Sequence, residues 1–172
     1  MAAGRTWRPR LTWAGYAAFA WGLLFAGVSF YWGAGGTAGL DTLGGSLVQM
    51  ARARESAVIA AVWVTGLLKL AGAMLALALV GAWGPRLPRL PVAVLGWGAA
   101  AVLTLYGGVL VTAEALVAGG LVRPASPVDW KALYWHLYLW DLSFLVWGIL
   151  FGLAAWRYTS QRLRPRASAA SG

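Results

Sequence analysis

One histidine and one aspartate stand close together in the last long apolar segment of the chain. Residues 134–141 read YWHLYLWD, and His136 is the only histidine in the 172 residues. Ionisable groups in segments apolar enough for a bilayer are costly, and those that occur there usually serve a function. This stretch is therefore the best candidate for a functional site.

The spacing of these two residues predicts that they point in different directions. His136 and Asp141 are five residues apart, which is about 140° around an ideal α-helix. Asp141 shares a helical face with Gly148 and Gly152, and small residues of this kind pack inside helix bundles. His136 aligns with Trp140 instead. We therefore expect Asp141 to face the bundle interior and His136 to face elsewhere, unless a bend intervenes.

Two more charged residues lie within apolar segments. Lys69 lies about 20 Å from either end of the second segment, at 1.5 Å per residue, and shares a helical face with Thr65 and Ala73. Glu114 lies near the end of the third segment. We expect Lys69 to point inward and to pair with Asp141 or Glu114. Such a pair would be a counter-ion or proton-relay site, or a structural ion pair.

The residue types favour neither a metal centre nor an enzyme active site. The chain has no cysteine, which excludes disulfides, thiolate ligands and a cysteine nucleophile. His136 and two scattered carboxylates do not match the ligand spacing of zinc or di-iron sites, and nothing further indicates haem. Ser143 lies about two turns from His136, too deep for acyl chemistry. We predict no catalytic residue, no metal and no cofactor.

The glycine-rich loop at residues 33–38 formally fits the dinucleotide pattern G-x-G-x-x-A. That pattern has meaning only between a strand and a helix, and here it follows an apolar segment. We interpret the glycines as a tight surface or re-entrant turn, after which Asp41 is placed to cap a helical turn.

Composition and long apolar runs predict an all-α integral membrane protein. The chain is 60% hydrophobic and 11% charged, whereas soluble domains carry roughly 25% charged residues. Helical spans need about 20 apolar residues, and the segments at 11–32, 56–83, 92–118 and 132–158 meet that length. We predict one membrane domain over residues 1–172, folded as a four-helix bundle, with flexible basic tails at 1–10 and 163–172. The first segment is expected to remain as a span, because no clear signal-peptide cleavage site follows it.

Basic residues are distributed unequally between the two ends of these segments. Nine arginines lie before the first segment, between the second and third, and at or beyond the end of the fourth, whereas four basic residues lie in the other two connections. The positive-inside rule therefore predicts that both termini lie in the cytoplasm. The net charge of +9 then reflects orientation in the membrane and does not indicate nucleic-acid binding.

Small residues form faces on which helices can pack. The third segment carries one at every fourth position: Gly96, Ala100, Thr104, Gly108 and Thr112. In lipid, such faces bring helices close together or pair one protomer with another. The short, proline-rich connection at residues 84–91 predicts that the second and third segments are antiparallel neighbours. The expected partners are the lipid bilayer and a second copy or another membrane protein.

Two stretches carry a resemblance to a known family. Residues 29–36 read SFYWGAGG and continue as GLDTLGG at 39–45, and WD at 140–141 is followed by FLVWG at 144–148. The chain resembles the bacterial domain-of-unknown-function family 3995, whose members look like four-span membrane proteins. They have a Y-W-x-x-G-G loop after the first span and a W-D or R-D element, usually followed by proline, that opens the last. Leu142 stands where that proline is common. The resemblance implies the topology and no activity.

Three functions are compatible with the sequence. The first expectation is a non-enzymatic structural or accessory membrane component. The second is a transporter or channel subunit that uses Lys69 with Asp141 or Glu114. The third is a lipid-binding or lipid-modifying protein in which an outer aromatic pocket holds a lipid or isoprenoid. The residues of that predicted pocket are Trp32, Tyr134, Tyr138 and Trp140.

Overall fold

The structure, a computed structural model, describes residues 11–82 and 84–160 and contains only helices among them. The helices in chain order are α1 (Thr12–Gly33), α2 (Gly45–Arg52), α3 (Ser56–Val80), α4 (Arg89–Ala118), α5 (Trp130–Trp135) and α6 (Asp141–Ser160). A π-helical turn (His136–Trp140) joins α5 to α6, and 3-10 turns lie at Leu40–Thr42 and Gly84–Arg86.

Four helical stretches are long and apolar enough to cross a membrane: Thr12–Gly33, Ser56–Val80, Arg89–Ala118 and Trp130–Ser160. Their bounds lie close to those of the four predicted segments. The second ends three residues early, because Gly81 is extended at φ −78 and ψ 161. The third begins three residues early, because Pro91 falls in its first turn, where the missing N–H costs no helical hydrogen bond. The tails predicted at 1–10 and 163–172 lie outside the described residues.

Two helix pairs dominate the packing. Helix α1 packs along α3, α4 packs along α6, and contacts between α1 and α6 join the pairs. Helices α3 and α4 follow each other in the chain but contact each other less, so the short connection makes them adjacent without making them the main packing partners. Glycine allows the close approach of α4 and α6: a Cβ on Gly107 would collide with the backbone of Asp141 and Leu145, and one on Gly148 with that of Thr104.

The predicted small-residue face of α4 needs one correction. Gly96 and Ala100 are buried as expected, but the backbone contact with α6 is made at Gly107, and Gly108 is only partly buried. The four-residue spacing assumed a perfectly regular stripe, whereas an α-helix repeats every 3.6 residues. About three turns after Gly96, the residue on the packed face is therefore Gly107, one position before the Gly108 that the four-residue spacing predicted.

The best-packed region lies at the inner end of the bundle, which we define as the end where α1 begins and α6 ends. Alanines from three helices are fully buried there, and Phe151 fills the space between them. The indole of Trp147 packs against Gly22 and Gly72, and its Nε1–H donates to the carbonyl of Ala18 at 2.9 Å.

Large apolar side chains are exposed around the outside of the bundle. Leu24, Leu68, Leu90, Leu105 and Val109 are examples, each more than half exposed. A water-soluble bundle would place polar residues at these positions. The helices thus bury small residues between them and expose large apolar ones.

Candidate functional site

A π-helical turn brings His136 and Asp141 to the same side of the last long helix. The backbone N–H of Asp141 donates to the carbonyl of His136, an i→i+5 bond in place of the usual i→i+4 bond. Five residues then make up approximately one turn, so the side chains of His136 and Asp141 lie one above the other on the same face. His136 Nδ1 lies 2.9 Å from Asp141 Oδ2. The prediction that these residues face different directions was therefore wrong, because it assumed an unbroken α-helix.

Glu114 joins this pair from the neighbouring helix. It lies seven residues after Gly107, and Asp141 lies seven before Gly148, so each carboxylate falls on the face where α4 and α6 approach closely. Glu114 Oε1 is 4.0 Å from His136 Nδ1. We call these three residues, Glu114, His136 and Asp141, the polar cluster; one ligand-type atom from each lies within 4.8 Å of the others.

The connection between α1 and α2, residues 34–44, orients the imidazole of the polar cluster, and we call it the outer loop. His136 Nε2 lies 3.2 Å from the backbone carbonyl of Leu43. A carbonyl only accepts hydrogen bonds, so Nε2 carries a proton in this contact. When the ring is neutral, Nδ1 then presents its lone pair to the two carboxylates. The loop therefore selects the tautomer whose free nitrogen faces the acidic groups.

Because the polar cluster is largely buried, unbalanced charge on its side chains is costly. The side chain of Asp141 is 5% exposed, that of Glu114 18% and that of His136 31%. Glu114 Oε2 is buried and has no hydrogen-bond partner in the described part of the chain. Two ionised carboxylates about 5 Å apart repel each other by roughly 3 kcal/mol at an effective dielectric constant of 20. The polar cluster therefore requires positive charge, supplied by protons or by a bound cation.

Lys69 faces the same region without pairing with either carboxylate. Its Nζ donates to Ser29 Oγ at 2.8 Å and lies 5.4 Å from the ring centroid of Phe25. No ion pair forms between Lys69 and Asp141 or Glu114. The two predicted ion pairs are therefore absent, because the serine and the aromatic ring of α1 hold the ammonium group.

A cavity of about 190 Å³ is lined by Lys69 and by two members of the polar cluster, His136 and Asp141. Its remaining lining is apolar or aromatic: Phe25, Val28, Trp32, Leu43, Tyr106, Trp140 and Phe144. A second cavity of about 140 Å³ shares Trp32, Leu43 and Lys69 with the first. We call the first of these spaces the outer cavity.

The outer loop closes this end of the bundle. Trp140 Nε1 donates to Thr42 Oγ1 at 3.0 Å, and the Thr42 hydroxyl donates to the carbonyl of Gly39 at 2.6 Å. Gly39 has φ 79, a left-handed conformation that costs glycine little. Asp41 lies within the 3-10 turn and pairs with Lys131 of α5, and this contact lowers the pKa of Asp41 below its usual value.

Only half of the predicted aromatic pocket lines the outer cavity. Trp32 and Trp140 do so, with ring centroids 5.4 Å apart. Tyr134 and Tyr138 instead stack on each other at the surface, 44% and 67% exposed.

Three aromatic residues that sequence reasoning missed take their place: Phe25, Tyr106 and Phe144. A signal for one of them was present in α1. Phe25, Ser29 and Trp32 are spaced by four and three residues, which places them on one helical face. Phe144 lies four residues after Trp140 and three after Asp141, which is the same kind of signal. No comparable pattern linked Tyr106 to the site.

The fold and the site define a class of protein: four long apolar helices that enclose charged side chains near one end. Residues 22–151 match the family described as "Protein of unknown function (DUF3995)", and the chain belongs to that family. The matched range contains the polar cluster and every residue that lines the outer cavity, and it confirms the resemblance noted in the sequence. No curated protein and no solved structure matched the chain.

Proposed function

We propose that this chain is a multi-pass protein of a bacterial plasma membrane, with both termini in the cytoplasm. The exposed leucines and valines of the four long helices support insertion, because lipid is the solvent in which such surfaces are stable. The excess of arginine in the sequence before the first span, between the second and third, and around the end of the fourth supports the orientation. The outer cavity then lies towards the external face.

We further propose that the chain binds a small amphipathic molecule, such as a lipid or an isoprenoid, in the outer cavity. The observation that carries this proposal is the lining of the cavity, which combines aromatic side chains with Lys69, His136 and Asp141. Ligand sites combine mostly apolar walls with a few placed polar groups and usually measure about 300–1,000 Å³. The outer cavity, at about 190 Å³, would therefore hold the polar end of such a molecule and part of its apolar chain. An anionic group of the ligand would reach Lys69, and its apolar part would lie against the aromatic rings.

The alternatives receive less support from the same site. A purely structural or accessory component gains nothing from a cavity beside buried charges, since a filled bundle is more stable. A transporter or channel subunit built on an ion pair of Lys69 with Asp141 or Glu114 lacks that pair. We expect no catalytic residue, and oligomerisation through the small-residue faces is compatible with ligand binding.

Native mass spectrometry of the gently extracted protein tests the proposal. We expect the wild type to carry a co-purifying small molecule, and Lys69→Met to lower its occupancy by about tenfold or more, because a charge-assisted hydrogen bond contributes roughly 1.5–3 kcal/mol. Thermal stability in detergent should be unchanged or higher, because the variant buries no charge.

Lys131→Met is the matched control. It also removes one lysine charge, but Lys131 lies outside the cavity lining and pairs with Asp41 at the surface. We expect it to retain the small molecule at wild-type occupancy. A wild type that carries no adduct would reject ligand binding and favour the structural component. Equal occupancy in both variants would reject Lys69 as the group that anchors the molecule, and with it the outer cavity as the binding site.

A further inference from the structure

Glu114, His136 and Asp141 meet the geometric requirements of a metal site that their positions in the sequence did not reveal. His136 Nδ1 lies 2.9 Å from Asp141 Oδ2 and 4.0 Å from Glu114 Oε1. Metal bonds of about 2.0–2.2 Å hold two ligand atoms up to about 4 Å apart. Little movement is therefore needed to place the three side chains around one ion.

The surroundings of the imidazole provide an independent argument. Metal-binding histidines usually donate their second N–H to a carbonyl or carboxylate, which fixes the ring and directs the other nitrogen at the metal. His136 makes such a contact with the carbonyl of Leu43, at 3.2 Å from Nε2. Leu43 belongs to the outer loop, so this support comes from outside the polar cluster.

The carboxylates provide a further argument. Glu114 Oε2 is buried without a hydrogen-bond partner in the part of the chain that the structure describes. Asp141 is almost fully buried, and Lys69, the nearby cation of the cavity, is bound to Ser29. Two carboxylates and a neutral imidazole carry a charge of about −2, which a divalent cation balances.

We propose that Glu114, His136 and Asp141 bind one divalent transition-metal ion of the zinc type, with one ligand atom from each side chain. Imidazole nitrogen and carboxylate oxygen together suit first-row ions such as Zn²⁺, and three protein ligands leave a position open to a small molecule. The open position would face the outer cavity, which His136 and Asp141 line. The metal is measured directly, so this inference stands or falls independently of the amphipathic ligand.

The test uses the full chain in detergent, purified with an affinity tag other than polyhistidine, because His136 is the only histidine. The protein is stripped with a chelator and titrated with Zn²⁺, and the bound metal is counted by mass spectrometry after desalting. We expect one ion per chain. Glu114→Gln and His136→Gln should each lower the affinity for Zn²⁺ at least about tenfold. Removing a group that only hydrogen-bonds to a metal ligand already costs about that much.

Glu55→Gln is the matched control, because it neutralises an exposed carboxylate directly before α3 that is not part of the polar cluster. We expect wild-type affinity. A folded, stripped wild type that takes up no Zn²⁺ would overturn the proposal and assign the compensating charge to protons. Equal affinity in Glu114→Gln and wild type would overturn it as well.

A spectroscopic measurement on the wild type covers the case in which the variants fail to fold. Cu²⁺ added to the stripped protein should show ¹⁴N coupling from a single imidazole in pulsed electron paramagnetic resonance. His136 is the one side chain that can supply an imidazole. Bound Cu²⁺ without that coupling would place the ion elsewhere and overturn the proposal.

Discussion

The two ends of the bundle differ in which side chains they bury and in how closely these side chains pack. At the inner end, buried alanines and Phe151 leave little space, and the indole of Trp147 donates to the carbonyl of Ala18. The outer end has a π turn, a glycine-rich loop and a cavity whose lining includes Lys69, His136 and Asp141. Polar groups and empty space both lower stability when no ligand is bound. The difference indicates that the inner end holds the bundle together, and it supports the proposal that the outer end binds a ligand.

Gly148→Val should have the largest effect on stability, because it separates the two helices on which both ends depend. A side chain at this position meets the backbone of Thr104, which cannot rotate away. We expect the free energy of unfolding to fall by about 3 kcal/mol or more, measured as a lower thermal midpoint in detergent. Gly98→Val is the control, since a Cβ there meets nothing within 4 Å. A similar loss in both variants would show that helix propensity, and not close packing, explains the effect.

Trp147→Phe tests the inner end by itself. It removes the hydrogen bond to the carbonyl of Ala18 and part of the ring packed on Gly22. We expect a loss of about 2 kcal/mol in unfolding free energy with unchanged ligand and metal occupancy. Trp156→Phe, at an exposed position of the same helix, should be nearly neutral. If Trp147→Phe instead abolished binding and spared stability, the division between the two ends would be wrong.

Trp140→Phe makes the reciprocal test at the outer end. It removes the donor to Thr42 and should release the loop at residues 38–44. We expect faster hydrogen exchange in that loop and a global cost of no more than about 1 kcal/mol. Hydrogen-exchange mass spectrometry distinguishes local opening of the loop from a loss of global stability. Slow exchange retained in the loop would show that its glycine turns and the Asp41–Lys131 pair suffice to hold it.

The sequence predicted the inner end better than the outer end, for physical reasons. Helix length and the placement of alanine and glycine follow from local patterns, and these identified the four helices and the packed faces of Gly148 and Ala100. The polar cluster depends on one backbone irregularity, the π turn at His136–Trp140. No proline or glycine in residues 136–140 signals that irregularity. The position of Lys69 likewise depends on Ser29 and Phe25, forty and forty-four residues away in the chain.

Of these variants, Asp41→Asn should have the smallest effect on stability. Asp41 and Lys131 pair at the outer surface with both side chains at least half exposed, where solvent screens the attraction. Because Lys131 favours the ionised carboxylate, the pKa of Asp41 lies below its usual 3.8 in the folded state. The pair therefore stabilises the folded state above pH 3.8, the usual pKa. This stabilisation is lost as the pH falls through the lower pKa that Asp41 has in the folded state.

Thermal midpoints of the wild type and Asp41→Asn should thus differ slightly at pH 7 and converge below about pH 4. A large difference at pH 7 would mean that this exposed pair holds the loop over the outer cavity more firmly than its exposure implies. The outer end would then owe its closure to the loop surface, and Trp140→Phe should leave hydrogen exchange at residues 38–44 unchanged.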